Sequence, residues 1–303
     1  SSNTMLAAIH GQTLATVARV QNVAYDWQYA AIAGLPLAAL MAGSVTHPTR
    51  ITTHMALDIQ TVLDRVRIFE ETPATALGLV RQDRAVDATG KHHFARLALL
   101  QKMCFGTQSD MRQAHPLNLD VITHEDSILA QQMGGELRLM GEISADGAQQ
   151  SIQILPEQDA HRMDALQEYM LIETPETEMP MSLSIPPHTP RSVALGMVNS
   201  IQALGQGKLP RLPKRISAES IRPTAQTIFV RTQPEQMETV RRDARWNILQ
   251  ERSRGGITGV IIATHLPQHE IERVLGEGTL ALKVWQPVHK QPAALGVSLR
   301  LVS

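Results

Sequence analysis

The sequence is poor in cysteine, in aromatic residues and in long apolar runs, and each shortage excludes a class of protein. Cys104 is the only cysteine, so no intramolecular disulfide can form and an oxidising compartment is not indicated. The most apolar stretch, residues 30–43, is interrupted by Gly34 and Pro36 and is shorter than the ~18 residues of a membrane helix. We therefore expect a cytoplasmic globular protein in which Cys104 is a buried apolar residue.

Aromatic residues make up 3% of the chain, against a hydrophobic fraction of 43%. A core of ordinary size is therefore expected, built mainly from aliphatic side chains and methionine. The shortage of rings leaves few side chains that could stack on nucleic acid bases, so recognition of single strands by stacking is not indicated.

Catalytic and metal-binding motifs are also missing, and we predict no catalytic residue, no metal and no cofactor. The turn at Gly255 and Gly256 leads into a predicted strand, whereas loops that bind phosphate lead from a strand into a helix. His265 and His269 are four residues apart, but Pro267 separates them and no glutamate follows His265 as in zinc proteases. The adjacent His92 and His93 are expected on different faces of a helix.

The periodicity of apolar residues predicts a helix-rich N-terminal region that carries one β-hairpin. Helices are predicted over residues 5–23, 25–41, 51–70, 91–105 and 156–171. Polar and apolar residues alternate over 136–140 and 151–154, with the turn signal Asp146–Gly147 between them, which is typical of a hairpin near 136–155.

A Pro-rich connecting region and a smaller C-terminal unit are expected to follow. Residues 173–190 and 205–223 are rich in proline and predict loops, with one helix over 191–204 between them. The last eighty residues favour the order βαβαββ, with helices over 234–252 and 268–275. The fold class is therefore α+β, divided into 1–172, 173–223 and a small α/β unit at 224–303.

The two parts of the chain carry opposite charge, although the net charge is −1. Residues 1–190 contain 12 Lys and Arg against 21 Asp and Glu, whereas residues 191–303 contain 16 against 8. Such asymmetry is typical of a protein with an electrostatic partner. Intramolecular pairing and plain solvated charge are the alternative explanations.

Two clusters account for most of the positive charge, one in the Pro-rich run and one on the helix predicted after Pro234. Arginine is suited to bidentate contact with phosphate, so these clusters are the candidate nucleic acid contacts. The candidate residues are Lys208, Arg211, Lys214, Arg215, Arg241, Arg242, Arg245, Arg252 and Arg254. On a continuous helix, Arg241, Arg245 and Arg252 would share one face.

The main functional prediction is a non-enzymatic assembly subunit, nucleoprotein-like or capsid-like in role. Its basic C-terminal half would bind the backbone of DNA or RNA, self-associate into a homo-oligomer, or act within a larger complex. The alternative is an enzyme whose site is assembled from scattered residues near Gly255 and His269, with an unspecified reaction. No membrane association is expected.

Overall fold

The computed structural model shows a mixed α+β fold built on one nine-stranded sheet. The described residues are 2–21, 48–54, 57–83, 87–160, 167–175, 180–185, 225–276 and 278–285, with isolated positions at 198, 201–202 and 205–206. The strands lie in the order β5-β4-β1-β2-β3-β9-β6-β8-β7. One parallel pairing, between β3 and β9, joins the strands before residue 160 to those after residue 225.

The bounds of the elements are as follows. The strands are β1 (Arg50–His54), β2 (Gly135–Ser144), β3 (Ala148–Pro156), β4 (Glu168–Glu173), β5 (Met181–Ile185), β6 (Gln226–Thr232), β7 (Trp246–Arg254), β8 (Ile257–Thr264) and β9 (Leu280–Val284). The helices are α1 (Ser2–Val20), α2 (Leu57–Phe69), α3 (Pro73–Asp83), α4 (Lys91–Phe105), α5 (His124–Gln132), α6 (Glu157–Ala160), α7 (Met237–Arg242) and α8 (Gln268–Leu275).

The first five strands pair antiparallel with one another. β1 lies between β2 and β4, so Thr53 is opposite Gly141 on one side and Met170 on the other. β2 and β3 form a long hairpin in which Gly135 is opposite Pro156. Because side chains alternate across a strand, Thr53 and Gly141 belong to the face of the sheet that α4 covers.

The strands after residue 225 form a ferredoxin-like unit. The order along the chain is βαββαβ, and the strand order β9-β6-β8-β7 places the first and last strands side by side. Within this unit all neighbouring strands are antiparallel. The unit continues the sheet of the first region through the pairing of Gln153 with Lys283 and of Ile154 with Val284.

Separate apolar clusters cover the two faces of the sheet. On the face covered by α4, Phe94 and Leu100 pack with Ile51 and Ile143. On the same face, residues of α2, α3 and α5 pack against β2 and β3 and also against Phe229 of the ferredoxin-like unit. On the opposite face of that unit, α7 and α8 pack on β6, β8 and β9. The cluster that contains Phe229 therefore includes residues from both regions and gives them a common core.

Three predicted helices are wrong in part, and the description of the N-terminal region as helix-rich is not confirmed. Residues 50–54 form β1, because the β-branched Ile51, Thr52 and Thr53 are buried between two neighbouring strands. The predicted helix at 156–171 contains only the short α6 and then the start of β4. The predicted helix at 234–252 ends at Arg242, and β7 begins at Trp246.

Other predictions agree with the structure or concern residues outside its description. The helix predicted over 91–105 has the observed bounds of α4, which ends at Gly106 in the left-handed conformation. The order of the C-terminal elements is βαββαβ rather than the predicted βαβαββ. The helices expected at 25–41 and 191–204 and the last strand of the predicted βαβαββ order lie wholly or mostly outside the described residues. Among the described helices, none is long and apolar enough to cross a membrane.

Candidate functional site

The described residues among those predicted to contact nucleic acid do not share one helix face. Lys208, Arg211, Lys214 and Arg215 lie outside the described residues. The other five candidates are divided between α7, the turn after it and β7.

Acidic neighbours pair with three of these arginines. Arg241 binds Glu251 at 2.8 Å, and Arg242 binds Glu238 at 2.7 Å. Arg245 binds Asp243 and lies over the ring of Trp246. Arg252 donates to the main-chain oxygen of Glu251, and Arg254 lies exposed at the end of β7. Local ion pairs therefore reduce the positive field that the sequence suggests.

The residues suspected in the alternative, enzymatic prediction do not come together either. Gly255 and Gly256 form the tight turn of the β7–β8 hairpin, both with positive φ. His265 and His269 lie beyond the other end of β8. A strand of this length spans about 27 Å at roughly 3.4 Å per residue, so the turn and the histidines cannot line one site.

A group of buried and half-buried polar side chains lies instead at the amino end of α4, and we call it the α4 site. It comprises Thr53, His93, Arg96, Gln150 and Glu168. Helix α4 supplies His93 and Arg96, and strands β1, β3 and β4 supply the other three. The group therefore depends on the packing of one helix on three strands.

The loop before α4 fixes where the helix begins. Asp87 accepts hydrogen bonds from the main-chain nitrogens of Thr89 and His92 and from the hydroxyl of Thr89. Burial alone would raise the pKa of Asp87, but these hydrogen bonds and the electrostatic interaction with His92 outweigh burial and hold the pKa below its ordinary value. Gly90 has a φ of +72°, and a Cβ there would lie 2.7 Å from both Gln150 and Leu117. Glycine is therefore required where the chain enters α4.

His93 is a neutral imidazole with one bound and one unbound nitrogen. Its Nδ1 lies 2.9 Å from Oε1 of Gln150, so the ring carries its proton on Nδ1 and donates it to the amide oxygen. Burial, with a contribution from the nearby charge of Arg96, lowers the pKa of His93 to about 3. Among the described residues, Nε2 of His93 and Oγ1 of Thr53 are both buried without a hydrogen-bond partner.

Arg96 is the cation of the α4 site. Its Nη2 donates to Oε1 of Glu168 at 2.6 Å, and the two side chains are 17% and 6% exposed. A buried ion pair of this kind fixes the position of the guanidinium more than it stabilises the fold. The pair therefore holds a positive charge next to a neutral hydrogen-bond acceptor.

A second buried histidine lies near the first. Nδ1 of His54 donates to the main-chain oxygen of Leu139 at 3.0 Å, and Nε2 lies 3.5 Å from Arg138. Burial first and the charge of Arg138 second lower the pKa of His54 to about 4. Arg138 in turn donates from Nε to Glu136 at 2.7 Å. Both histidines are therefore uncharged near neutral pH.

His93 cannot be identified as a site residue from the sequence, because no local feature distinguishes it from a histidine of the core. Its partner Gln150 is 57 residues away, and Glu168 is 72 residues from Arg96. Asp87, Thr89 and Gly90 form the one local signal, a capped turn with glycine before a helix. Within the described part of the chain, no group of three His, Cys, Asp or Glu residues is placed to hold a metal.

Comparison with known proteins gives a consistent result. A family model described as homoserine dehydrogenase matches residues 60–197, a little under half of the chain. The homoserine dehydrogenase of Lactococcus lactis is 28% identical over 152 residues, which cover 48% of this chain and 36% of that protein. The aligned part of the chain thus spans about a third of that curated relative.

Solved structures of homoserine dehydrogenases share the fold. The enzyme from Thiobacillus denitrificans matches with a TM-score of 0.73 at 13% identity, over 93% of this chain and 75% of that chain. The enzyme from S. aureus at pH 6.5 matches with a TM-score of 0.67 at 12% identity, over 93% and 72%. A hyperthermophilic archaeal enzyme in complex with NADPH matches with a TM-score of 0.50 at 16% identity, over 68% and 63%.

These findings overturn the prediction of a non-enzymatic, nucleic-acid-binding assembly subunit. Every protein reported above is a homoserine dehydrogenase, and the chain resembles these enzymes both in sequence and in fold. The enzymatic alternative agrees better with the comparisons, although its suspected residues do not form a site. The prediction failed because a charge imbalance along the sequence does not reveal which charges pair in the fold.

Proposed function

We propose that the chain is an enzyme of amino acid metabolism, similar to homoserine dehydrogenases, and that the α4 site binds its substrate. The observation that carries the proposal is that the matched residues 60–197 contain the α4 site except for Thr53. The substrate class is a small amino acid with a hydroxyl or carbonyl group, as the name of the relatives indicates.

The α4 site offers two complementary contacts to such a substrate. Arg96, held by Glu168, is suited to bind the carboxylate, because a guanidinium matches a carboxylate in geometry and charge. Nε2 of His93 is suited to accept a hydrogen bond from the hydroxyl, because its lone pair is free of partners among the described residues.

The low pKa of His93 limits its part in the chemistry. A group with a pKa of about 3 binds a proton poorly near neutral pH, so it is a weak general base. Its role is therefore to orient a hydroxyl group by accepting its hydrogen bond, with Gln150 fixing the ring. Thr53 adds a second polar atom on the sheet side of the site.

The described residues do not fit a dinucleotide. Nicotinamide cofactors bind at a glycine-rich turn between a parallel strand and a helix. In the described part of the chain the neighbouring strands are antiparallel apart from β3 and β9, and Gly255–Gly256 joins two antiparallel strands. We therefore assign no hydride-transfer step to these residues, and the proposal concerns binding and orientation of the substrate.

The test measures binding of L-homoserine by titration calorimetry. We expect Arg96→Gln to weaken binding by about tenfold or more, since hydrogen bonds to charged groups contribute about 1.5–3 kcal/mol. His93→Phe should weaken binding by less than Arg96→Gln, because it removes one neutral hydrogen-bond acceptor.

Arg242→Gln is the matched control, because Arg242 lies exposed on α7 and pairs only locally. It should bind L-homoserine like the unaltered protein, and Arg96→Lys should recover part of the loss. Absence of binding to the unaltered protein, or equal binding by Arg96→Gln, would show the proposal to be wrong.

A further inference from the structure

Gln150 connects the loop between α4 and α5 to the imidazole of His93. It lies on β3 opposite Gly141 of β2, and Thr53 of β1 lies opposite Gly141 on the other side, so all three belong to the face of the sheet that α4 covers. Its Oε1 lies 2.9 Å from Nδ1 of His93, and its Nε2 donates to the main-chain oxygen of His115 at 3.4 Å. The amide of Gln150 therefore has a different partner at each end.

The orientation of this amide follows from the chemistry of its partners. A main-chain carbonyl accepts hydrogen bonds and cannot donate them, so the amide nitrogen must be the atom that faces His115. The reverse orientation would place two acceptor oxygens against each other. Gly90 leaves room for the amide nitrogen, since a Cβ at that position would lie 2.7 Å from it. The amide oxygen of Gln150 is therefore the atom that faces His93.

This orientation determines where His93 carries its proton. An amide oxygen only accepts hydrogen bonds, so Nδ1 of the neutral ring must donate, and Nε2 keeps its lone pair. Nε2 is buried, and no residue in the described part of the chain forms a hydrogen bond with it. A ligand group beside Nε2 therefore gains a hydrogen bond only if it has a proton to donate.

The polar groups of a small amino acid differ in how well they meet this requirement. A carbonyl or carboxylate oxygen has no proton to donate and would leave Nε2 unpaired. An ammonium could donate, but burial and then the nearby charge of Arg96 disfavour positive charge at His93, which lowers its pKa to about 3. A hydroxyl donates without carrying charge. Thr53 does not alter this order, because its own hydroxyl both donates and accepts.

We propose that Gln150 is a positioning residue that holds the proton of His93 on Nδ1, so that the α4 site selects a ligand hydroxyl over a carbonyl. This inference rests on the proposed function, which leaves both groups open, and it identifies the alcohol as the form that the site binds. Gln150 acts through His93 rather than through a contact with the ligand.

The position of the proton is measured first, in the full chain without ligand. Long-range proton–nitrogen NMR correlations distinguish the two neutral tautomers of histidine, and the signal of His93 is the one missing from His93→Gln. We expect a proton on Nδ1 at neutral pH. In Gln150→Leu no acceptor selects Nδ1, so the tautomer protonated on Nε2 should appear. Gln149→Leu is the matched control and should keep the proton on Nδ1, because Gln149 is exposed on the opposite face of the same strand.

Titration calorimetry then compares L-homoserine with 4-oxo-L-norvaline, an amino acid with a ketone carbonyl in place of the hydroxyl. The unaltered protein and Gln149→Leu should bind L-homoserine about tenfold or more tightly than the ketone, because the ketone leaves the buried Nε2 unpaired. The preference should decrease in Gln150→Leu, because a ring protonated on Nε2 donates to a carbonyl.

Three results would count against the proposal, and they differ in what they overturn. A proton on Nε2 in the unaltered protein would overturn the role of Gln150, and this measurement stands even if Gln150→Leu does not fold. Equal binding of L-homoserine and the ketone would overturn the selectivity while the proposed function holds. If L-homoserine does not bind at all, the proposed function and the selectivity that rests on it are wrong, whereas the proton position still confirms or refutes the role of Gln150.

Discussion

Asp126 and Arg231 form a buried ion pair that ties helix α5 to the first strand of the ferredoxin-like unit. Nη1 of Arg231 donates to Oδ2 of Asp126 at 2.6 Å and also to the main-chain oxygen of Val121 at 3.2 Å. The same carboxylate accepts from the main chain and hydroxyl of Thr123, which completes the cap of α5. One residue therefore both begins a helix and joins the two regions.

Replacing Arg231 with methionine should destabilise the protein strongly. The substitution leaves the fully buried carboxylate of Asp126 without its cation, and breaking a buried pair in this way costs about 3–5 kcal/mol. Urea unfolding gives the free energy directly.

The control for this prediction is Arg242→Met, which breaks an exposed pair with Glu238. Exposed pairs contribute about 0–1 kcal/mol, so its effect should be small. Equal effects of the two substitutions would show that the Asp126–Arg231 pair does not join the regions energetically.

The two buried histidines should make the protein lose stability on mild acidification. Their pKa values are about 4 for His54 and about 3 for His93, whereas a histidine in the unfolded chain has a pKa of about 6.5. The unfolded state therefore binds more protons below about pH 6.5, and each histidine lowers the unfolding free energy by up to about 1.4 kcal/mol per pH unit. The stability that each neutral, buried histidine contributes is complete above about pH 6.5. It is lost as the pH falls towards about 4 for His54 and about 3 for His93.

Urea unfolding at several pH values between about 7 and 5 measures this slope. His93→Gln should reduce the slope, because the replaced side chain does not titrate. The prediction is wrong if removing His93 does not alter the pH dependence.

Gly90→Ala should destabilise the entry to α4 more than glycine replacement at an open position. A φ of +72° penalises alanine by about 1–2 kcal/mol, and the contacts of a Cβ with Gln150 and Leu117 add about 1–3 kcal/mol of overpacking. Gly134 has a similar φ of +78° with nothing within 4 Å, so Gly134→Ala isolates the backbone effect. Chemical denaturation of both variants should give a larger loss at Gly90, and equal losses would rule out the crowding.

Cys104 should be inert towards thiol reagents in the folded protein. It is 2% exposed, and burial raises the pKa of its thiol to about 12, so thiolate is scarce near neutral pH. Labelling with a coloured disulfide reagent should be negligible without denaturant and complete in urea, with glutathione as the reactivity control. Rapid labelling of the native protein would contradict the buried position.

The sequence predicts elements whose signals are local and misses those that depend on partners. Helix α4 is predictable because its apolar residues recur at helical spacing and Gly106 ends it. The strand β1 is not, because Ile51 fits a helical spacing with the residues that follow, and only the flanking strands β2 and β4 select extended backbone. The α4 site is assembled by long-range packing of His93 on Gln150 and of Arg96 on Glu168, which no local pattern indicates.

Residues 1–190 and 191–303 do carry opposite net charge, but the role of that charge depends on which residues pair in the folded protein. Asp243 and Glu251 neutralise Arg245 and Arg241 locally, and Arg231 turns inward to Asp126. A count along the chain cannot separate these pairs from a surface that attracts a polyanion. The expectation of a homo-oligomer stays a prediction.

Two exposed arginines, Arg252 and Arg254, lie on strand β7. It is the last strand of the described sheet, its register shifts between Ile248 and Gln250, and its far half exposes Arg252 and Arg254. A long flat outer strand would recruit strands from other molecules into aggregates, and bulges and charged side chains prevent such recruitment. The charges of Arg252 and Arg254 therefore oppose the pairing of strands from other molecules with β7.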